Sequence, residues 1–345
     1  MQSIEDTKQT RRIQISGGST YTISLPKKWI DELGIKNGDN MTIVKSANRS
    51  MTLFPGLDTE KPGKKAIITI SQKDADESIR RKIVAMYLNG YKTIQILSKG
   101  VKILPEHSRL IKDLVRKSMI GTEIVESDSE SITIQILTRL PELTFEVALK
   151  RMHLMTSNMH REAIEALSKN DVTYGEEVAR MDDEVDRFSL YMMRTLIMAI
   201  QNASMLYDVG LEQPSDCLNY RTVISRIERI ADHAALIAKR IKFLKEPLDP
   251  KIIREIQTLS ENAISCFDNS ILALTKKDHI MAEKTASSIV DIVKKEESLM
   301  YGMRESKNST VIKFVLEDIR RTAEYSSDLI EVVINETIRN IISEK

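Results

Sequence analysis

The chain has 345 residues, of which 41% are hydrophobic and 29% charged, and its formal net charge is +1. This length allows two or three domains, and the composition is that of an ordinary globular protein. A net charge near zero excludes a polycation, so any contact with nucleic acid has to come from a local basic patch.

Cysteine usage and the first residues indicate the compartment. Cys217 and Cys266 fit no zinc or CxxC spacing, which is typical of buried thiols in a reducing environment. The N-terminal sequence MQSIEDTKQT is polar and acidic, unlike a signal peptide, and no uncharged apolar run reaches the length of a membrane span. We expect a cytoplasmic protein without membrane insertion.

Short strands and one short helix are predicted in the N-terminal domain, residues 8–56. Apolar and polar residues alternate on both sides of Gly17 and Gly18, which predicts a β-hairpin, and the segment lacks the Lys-Ser/Thr of a phosphate loop. Pro26 starts a helix and Gly34 ends it. The predicted strands are 12–16, 21–25, 41–44 and 51–54, with a turn at 48–50, and the predicted helix is 27–33. About forty-five residues give too small a core for an independent fold, so we expect this domain to oligomerise.

A stretch with two prolines and two glycines, residues 55–65, predicts a linker. In the middle module that follows, residues 65–140, strand and helix patterns alternate. The predicted strands are 66–70, 93–97, 123–125 and 132–136, and the predicted helices are 75–88 and 105–119. The pattern indicates a small α+β or α/β module.

The tail, residues 143–345, shows a 3.6-residue apolar period and no convincing strand, and breaks in the pattern divide it into six helices. Two matches relate its halves: ALSKND at 166–171 with ALTKKD at 273–278, and IERIADH at 227–233 with IRRTAEY at 319–325. Such self-similarity predicts an all-α domain of two three-helix bundles, residues 143–247 and 249–345.

Two acidic pairs in this tail have helical spacing. Asp182 and Asp186, and likewise Glu228 and Asp232, are four residues apart, so each pair projects from one helix face. Like charges at this spacing destabilise a helix unless they are neutralised. The neighbouring arginines at positions 187 and 229 can neutralise them as a solvated salt-bridged face. The other solution is a metal ion between two helices, since these hard oxygen ligands suit magnesium, manganese, calcium or iron. His233 can assist, but no Glu-x-x-His pattern of a di-iron oxidase accompanies it, and a core or capping role is the simpler interpretation.

The N-terminal domain is locally basic. Residues 1–55 carry eight lysines and arginines against five acidic residues, a net charge of +3 that a dimer doubles. Arg11, Arg12, Lys27 and Lys28 are the candidate phosphate contacts, and such clusters raise affinity for DNA through counterion release. The alternative is a dimerisation module with a solvated surface.

The N-terminal domain resembles the SpoVT/AbrB type of swapped-hairpin domain found in transcription regulators. The residues that carry the resemblance are 16–29, SGGSTYTISLPKKW, and 33–39, LGIKNGD. The resemblance implies an intertwined homodimer that lays basic residues of both chains along DNA.

The tail resembles the PhoU family of phosphate-uptake regulators. The sequence ERIADHAALIA at 228–238 is the closest match, and DDEVDR at 182–187 is the second. The resemblance implies two three-helix bundles in which acidic motifs with four-residue spacing can bind metal clusters. The whole chain resembles archaeal regulators that join an AbrB-like head to a PhoU-like tail.

The second repeat departs from the acidic pattern. The register of the ALSKND match places Ile289 and Val293 where Asp182 and Asp186 lie, and the second match places Arg320 opposite Glu228 with Glu324 opposite Asp232. We therefore expect one competent acidic site, in the first repeat, and a structural or interaction role for the second bundle.

These observations predict a phosphate-responsive regulator of phosphate uptake or metabolism that binds DNA through its head and senses or docks through its tail. The alternative is a modulator of a phosphate ABC transporter ATPase or a sensor kinase, with a head used only for assembly. A third interpretation is a metal-storing protein or carboxylate-metal enzyme. No nucleophile and base have the spacing that catalysis needs, so we expect a non-enzyme.

Overall fold

The computed structural model describes residues 8–45, 50–55, 64–137, 144–201, 203–211, 213–302, 306–338 and 341–342. The centre of the predicted turn at 48–49 and most of the predicted linker, 56–63, lie outside these ranges. The chain divides into two compact units, Met1–Pro62 and Gly63–Lys345. The predicted middle module and the tail both lie in the second unit, where each has a hydrophobic core of its own.

The first unit consists of two β-hairpins and a short helix. The elements are β1 (Gln14–Ser16), β2 (Thr20–Thr22), α1 (Lys27–Glu32), β3 (Met41–Lys45) and β4 (Met51–Pro55). Antiparallel β1 and β2 turn at Gly17 and Gly18, whose φ angles of 64° and 83° favour glycine. The predicted β-rich head is confirmed, although its first two strands pair over three residues each and are shorter than the alternation suggested.

Apolar side chains of this unit are exposed. Ile15, Tyr21, Ile43 and Met51 are each more than 60% accessible. Among the described residues of the unit only Pro26 is buried. One copy of this unit therefore leaves these hydrophobic residues exposed, and its oligomerisation stays a prediction.

The middle module is a four-stranded sheet with two helices. Its elements are β5 (Lys65–Ile70), α2 (Asp76–Leu88), β6 (Thr93–Ser98), α3 (Pro105–Ser118), β7 (Thr122–Ser127) and β8 (Ser131–Ile136). The strand order is β5-β6-β8-β7, with β5 and β6 parallel and the other pairs antiparallel. The predicted strand and helix order is therefore observed in full. Alternate residues such as Ile94, Ile96, Ile132 and Ile134 are fully buried in its core.

The secondary structure of the tail, within its described residues, is helical. Its helices are α4 (Phe145–Lys169), α5 (Val172–Arg180), α6 (Asp182–Gln201), α7 (Ala203–Asp208), α8 (Pro214–Arg240), α9 (Pro250–Lys276), α10 (His279–Gly302) and α11 (Ser309–Thr337). The first bundle contains α4 to α8 and the second contains α9 to α11. The middle helix of the first bundle is divided, because three carboxylates open a new helix at Asp182, where the helix dipole favours them.

The two bundles repeat the same turn. Asn170 and Lys277 end α4 and α9 in the left-handed conformation, with φ of 53° and 51°. After each, an aspartate amide (Asp171, Asp278) donates to a carbonyl five residues earlier at 2.9 Å. Each aspartate side chain then accepts from a backbone amide three residues ahead. The matched sequences at 166–171 and 273–278 thus fold alike.

Ionic contacts, one of them to a buried aspartate, join the two bundles within one continuous core. Asp318 of α11 is paired with His233, at 2.8 Å, and with Arg240 of α8. Asp268 of α9 is bonded by three side chains of α4: His153, Ser157 and Arg161.

Helix α6 connects the middle module to α8. Arg194 donates to the carbonyl oxygens of Tyr87 and Tyr91, and its guanidinium lies 4.8 Å from the centre of the Tyr87 ring. On the other side of the bundle, α5 approaches α8 closely at Gly175, where a Cβ atom would lie 3.0 Å from the carbonyl oxygen of Ala238. No helix in the described part of the chain is long and apolar enough to cross a membrane.

Candidate functional site

The two acidic pairs face each other across the α6–α8 contact. Asp182 opens α6 and Asp186 follows one turn later, while Glu228 and Asp232 lie in the second half of α8. All four side chains are partly buried. The structure therefore brings together the four residues predicted from sequence, and we call them the acidic cluster.

Burial and mutual repulsion perturb the acidic cluster. Desolvation raises the pKa of Asp186 to about 7, and the negative charges of Asp182, Glu228 and Asp232 add to that effect. Desolvation likewise raises the pKa of Asp182 to about 6, with a further contribution from Asp232 and an opposing one from Lys239. Near neutral pH the cluster therefore carries protons or requires a cation.

The neighbouring arginines neutralise only part of this charge. Arg229 donates to Asp232 at 3.2 Å, which agrees with the salt-bridge alternative for that residue. Arg187 instead approaches Glu184, at 3.6 Å, and among the described residues it forms no ion pair with Asp182 or Asp186.

Hydrogen bonding to the carboxylates of the acidic cluster is also incomplete. Glu228 accepts a 2.7 Å bond from the hydroxyl of Ser189. Oδ1 of Asp182 is buried and has no hydrogen-bond partner among the described residues. An unpartnered buried carboxylate oxygen costs free energy, which a proton, a water molecule or a cation can recover.

The acidic cluster has the ligand atoms that a hard cation prefers, but its side chains are not arranged around a common point. Carboxylate and hydroxyl oxygens are the ligands that magnesium, manganese and calcium prefer. Yet no group of three or more His, Cys, Asp or Glu side chains, within the part of the chain that the structure describes, is arranged to hold a metal ion. A single ion would contact three of these carboxylates only after their side chains rotate.

His233 does not belong to the acidic cluster. Its Nδ1 lies 2.8 Å from Oδ1 of Asp318, and its ring is tilted against that of Tyr325 with 5.7 Å between centroids. The histidine therefore joins the two bundles, a role that differs from the core or capping role expected from the sequence.

The second bundle replaces the acidic cluster with ion pairs. Ile289 is buried at the position that matches Asp182. Arg320, opposite Glu228 in the repeat, lies 3.7 Å from Glu296 and also pairs with Glu324. In the register that matches Asp182 to Ile289, Glu296 corresponds to Ser189. An arginine–glutamate pair therefore lies where the first bundle has its glutamate–serine hydrogen bond. At the positions equivalent to the acidic cluster, the second bundle therefore pairs its charges with one another.

The four predicted DNA-contacting residues are exposed in the first unit. Arg11 and Arg12 precede β1, and Lys27 and Lys28 form the first turn of α1. Arg11 donates a 2.7 Å hydrogen bond to Gln9. Their exposure leaves the charges accessible to a polyanion.

Comparisons with family models agree with both resemblances. Residues 149–241 match the PhoU domain, a range that runs from α4 to the end of α8 and includes the whole acidic cluster. Residues 14–66 match a domain described as antidote-toxin recognition MazE, bacterial antitoxin. The prediction of an AbrB-like head joined to a PhoU-like tail is thereby confirmed.

Curated relatives align with about half of the chain. A phosphate-specific transport system accessory protein PhoU homolog from Aquifex aeolicus is 28% identical over 183 residues, 52% of this chain and 75% of the relative. A homolog of the same description from Deinococcus radiodurans is 26% identical over 152 residues, 43% of this chain and 64% of the relative. The solved structure of the phosphate transport system regulatory protein PhoU from Streptococcus pneumoniae has 20% sequence identity, covers 58% of this chain and 96% of its own, and has a TM-score of 0.46.

Proposed function

We propose that this protein regulates phosphate transport by binding DNA through its first unit and sensing an effector through its helical tail. The observation that carries the proposal is the joining of two domains in one chain. A PhoU domain that contains a charged, partly buried acidic cluster is linked to a separate, basic, MazE-like unit. The curated relatives are described as accessory proteins of phosphate-specific transport.

The first unit supports the DNA part of the proposal in two ways. Its exposed isoleucines and tyrosine need a partner surface, which a second copy of the same unit provides. Dimerisation doubles the net charge of +3 on residues 1–55 and sets Arg11, Arg12, Lys27 and Lys28 of both chains on one body. Such a cation cluster gains affinity for DNA phosphates by releasing counterions.

The acidic cluster supports the sensing part. Asp182, Asp186, Glu228 and Asp232 would hold a hard cation, which would supply positive charge that removes their mutual repulsion. Because two of these carboxyls bind protons near neutral pH, cation binding releases protons and strengthens as pH rises. Sensing then requires that the effector favour one arrangement of α6 and α8, since a ligand shifts an equilibrium only by its differential affinity.

The alternative function is a non-DNA-binding modulator of a phosphate transporter ATPase or a sensor kinase. One observation favours it: the curated relatives, which are named as accessory proteins of a transport system, align with about half of this chain or less. In that case the first unit serves assembly alone.

Chromatin immunoprecipitation from cells grown with ample and with scarce phosphate tests the proposal. We expect promoters of phosphate-transport genes to be enriched with the unaltered chain, to a degree that depends on phosphate. Enrichment is lost when Arg11, Arg12, Lys27 and Lys28 are all replaced by alanine. Absence of enrichment under both conditions, together with co-purification of a transporter ATPase or sensor kinase, would support the alternative and overturn DNA regulation.

A further inference from the structure

A groove of about 880 Å³ lies between α9 and α10 in the second bundle, far in sequence from the acidic cluster. This volume lies within the range of about 300–1,000 Å³ typical of small-molecule sites. Its floor includes the buried side chains of Leu259, Cys266 and Ile292. Lining residues run along α9 from Lys251 to Asn269, a length of about 27 Å at the rise of an α-helix.

The rim of this groove carries unneutralised positive charge. The cationic side chains are those of Lys251, Arg254, Lys284 and Lys295, and the anionic ones are those of Glu255 and Asp291, a net charge of +2. All four cationic residues are exposed, and within the described ranges none of them forms an ion pair. By contrast, Arg320 and Arg321 of the same bundle are paired with Glu324.

Uncommitted hydrogen-bond donors lie between these charges. The side chains of Asn262, Ser265 and Asn269 line the groove, and none has a hydrogen-bond partner among the residues that the structure describes. An amide group offers two N–H donors and a hydroxyl offers one. The groove thus combines positive charge with several free donors, the combination that binds oxyanions.

The first bundle carries large apolar side chains at three positions equivalent to groove residues. In the register that matches Ala166 to Ala273, three residues of the groove correspond to three of the first bundle: Asn262 to Met155, Ser288 to Met181 and Lys295 to Phe188. The three first-bundle residues are packed against the hydrophobic core. The groove therefore arises from small or polar residues at positions where the same fold accommodates bulky ones.

We propose that this groove binds a polyphosphorylated small molecule, such as a nucleoside triphosphate or an oligophosphate. Inorganic phosphate is much smaller than the groove and reaches few of the spaced cations, whereas a chain of phosphoryl groups offers acceptors along its length. A docked protein helix requires a continuous apolar stripe, which the amides and hydroxyls interrupt here. This site is separate from the acidic cluster and from the basic first unit, so it does not depend on either proposed role.

Isothermal titration calorimetry of the full chain in EDTA tests the proposal, with tripolyphosphate, ATP, inorganic phosphate and citrate as probes. We expect tripolyphosphate or ATP to bind, with phosphate and citrate much weaker. Replacing Lys251, Lys284 and Lys295 by glutamine weakens binding by about tenfold or more. The matched control replaces Lys276, Lys294 and Lys313, three exposed lysines that do not line the groove, and leaves affinity within about twofold.

A second variant separates a shaped site from diffuse attraction. Asn262→Met with Ser288→Met fills the groove as the first bundle does and keeps every charge, and we expect it to abolish binding while the circular dichroism and thermal midpoint stay unchanged. Three results would overturn the proposal: no heat with any probe, full binding by the filled variant, or equal binding of citrate. Loss of binding only in the Arg11, Arg12, Lys27 and Lys28 variant would place the anion on the first unit and would also overturn it.

Discussion

Replacing Asp186 with asparagine should stabilise the metal-free protein at alkaline pH. Asp186 is partly buried in α6, and its carboxylate is repelled by Asp182, Glu228 and Asp232. Asparagine keeps the shape of the side chain and removes its charge. In most proteins the loss of an acidic residue from a partly buried site is destabilising, so the sign of the effect distinguishes a repulsive cluster from a set of salt bridges.

The magnitude follows from the pKa. The pKa of this carboxyl rises on folding from 3.8 to about 7. The folded state therefore disfavours the ionised form of Asp186 by about 4 kcal/mol. Such a group stabilises the fold below pH 3.8, and this contribution is lost as the pH rises from about 4 to about 7. Partial solvent contact and side-chain rotation reduce the value, so we expect the variant to be about 2–4 kcal/mol more stable at about pH 8. The gain should be about 2 kcal/mol smaller at about pH 5, where the folded wild-type carboxyl is protonated.

Urea unfolding in EDTA at the two pH values, followed by circular dichroism, measures this difference. Asp183→Asn is the matched control, because Asp183 lies in the same turn of α6 but is exposed. Its unfolding free energy should fall by no more than about 1 kcal/mol, the contribution of a charge in the first turn of a helix, and should not rise at either pH. If Asp186→Asn were less stable than the wild type at both pH values, the carboxylate would be engaged in a favourable contact and the reasoning would be refuted.

Three further predictions concern the tail and the head. Asp318→Ala should lower the unfolding free energy by about 2–4 kcal/mol because it removes a buried carboxylate and leaves a partly buried histidine and arginine unpaired, whereas Asp113→Ala, which removes an exposed ion pair, should cost less than about 1 kcal/mol in the same urea titration. Ile43→Asp should convert the expected dimer to a monomer in light scattering after gel filtration, since it replaces an isoleucine of β3 that is 62% exposed in one copy by a charged residue; an unchanged mass would place the interface elsewhere. Asp182→Asn with Asp232→Asn should abolish manganese uptake, as measured by elemental analysis. Equal metal content in the variant and the wild type would rule out a metal site at the acidic cluster.

Sequence patterns predicted most of the fold because local signals and long-range packing agree here. The αL turn after α4 could be anticipated from its repeat after α9, since both segments share the sequence A-L-x-K-x-D. The strand order β5-β6-β8-β7 could not, because several pairings satisfy the same apolar alternation. The division of the first bundle's middle helix was also missed, although the three adjacent carboxylates at 182–184 are a helix-start signal.

The candidate site was predicted in part. Helical spacing placed the two acidic pairs on facing helices, but only the structure shows that Arg187 turns toward Glu184 and leaves Asp182 with an unpartnered oxygen. The buried pairing of Asp318 was missed, since an aspartate within a helix gives no sequence signal for partners on another helix. One feature of the sequence could have indicated the α9–α10 groove: Asn262 of the second repeat aligns with Met155 of the first. Its interpretation required knowing that these positions face outward along one groove.

Titration of the full-length protein with duplex DNA at several salt concentrations tests the central claim most directly. The test variant replaces Arg11, Arg12, Lys27 and Lys28 by alanine. The matched control replaces two arginines and two lysines that are exposed and form no ion pairs within the described part of the middle module: Arg81, Arg109, Lys99 and Lys102. We predict that wild type and control bind DNA with an affinity that falls steeply with salt, and that the test variant stays dimeric and loses binding. No binding by the wild type at low salt, or equal binding by a dimeric test variant, would contradict the account.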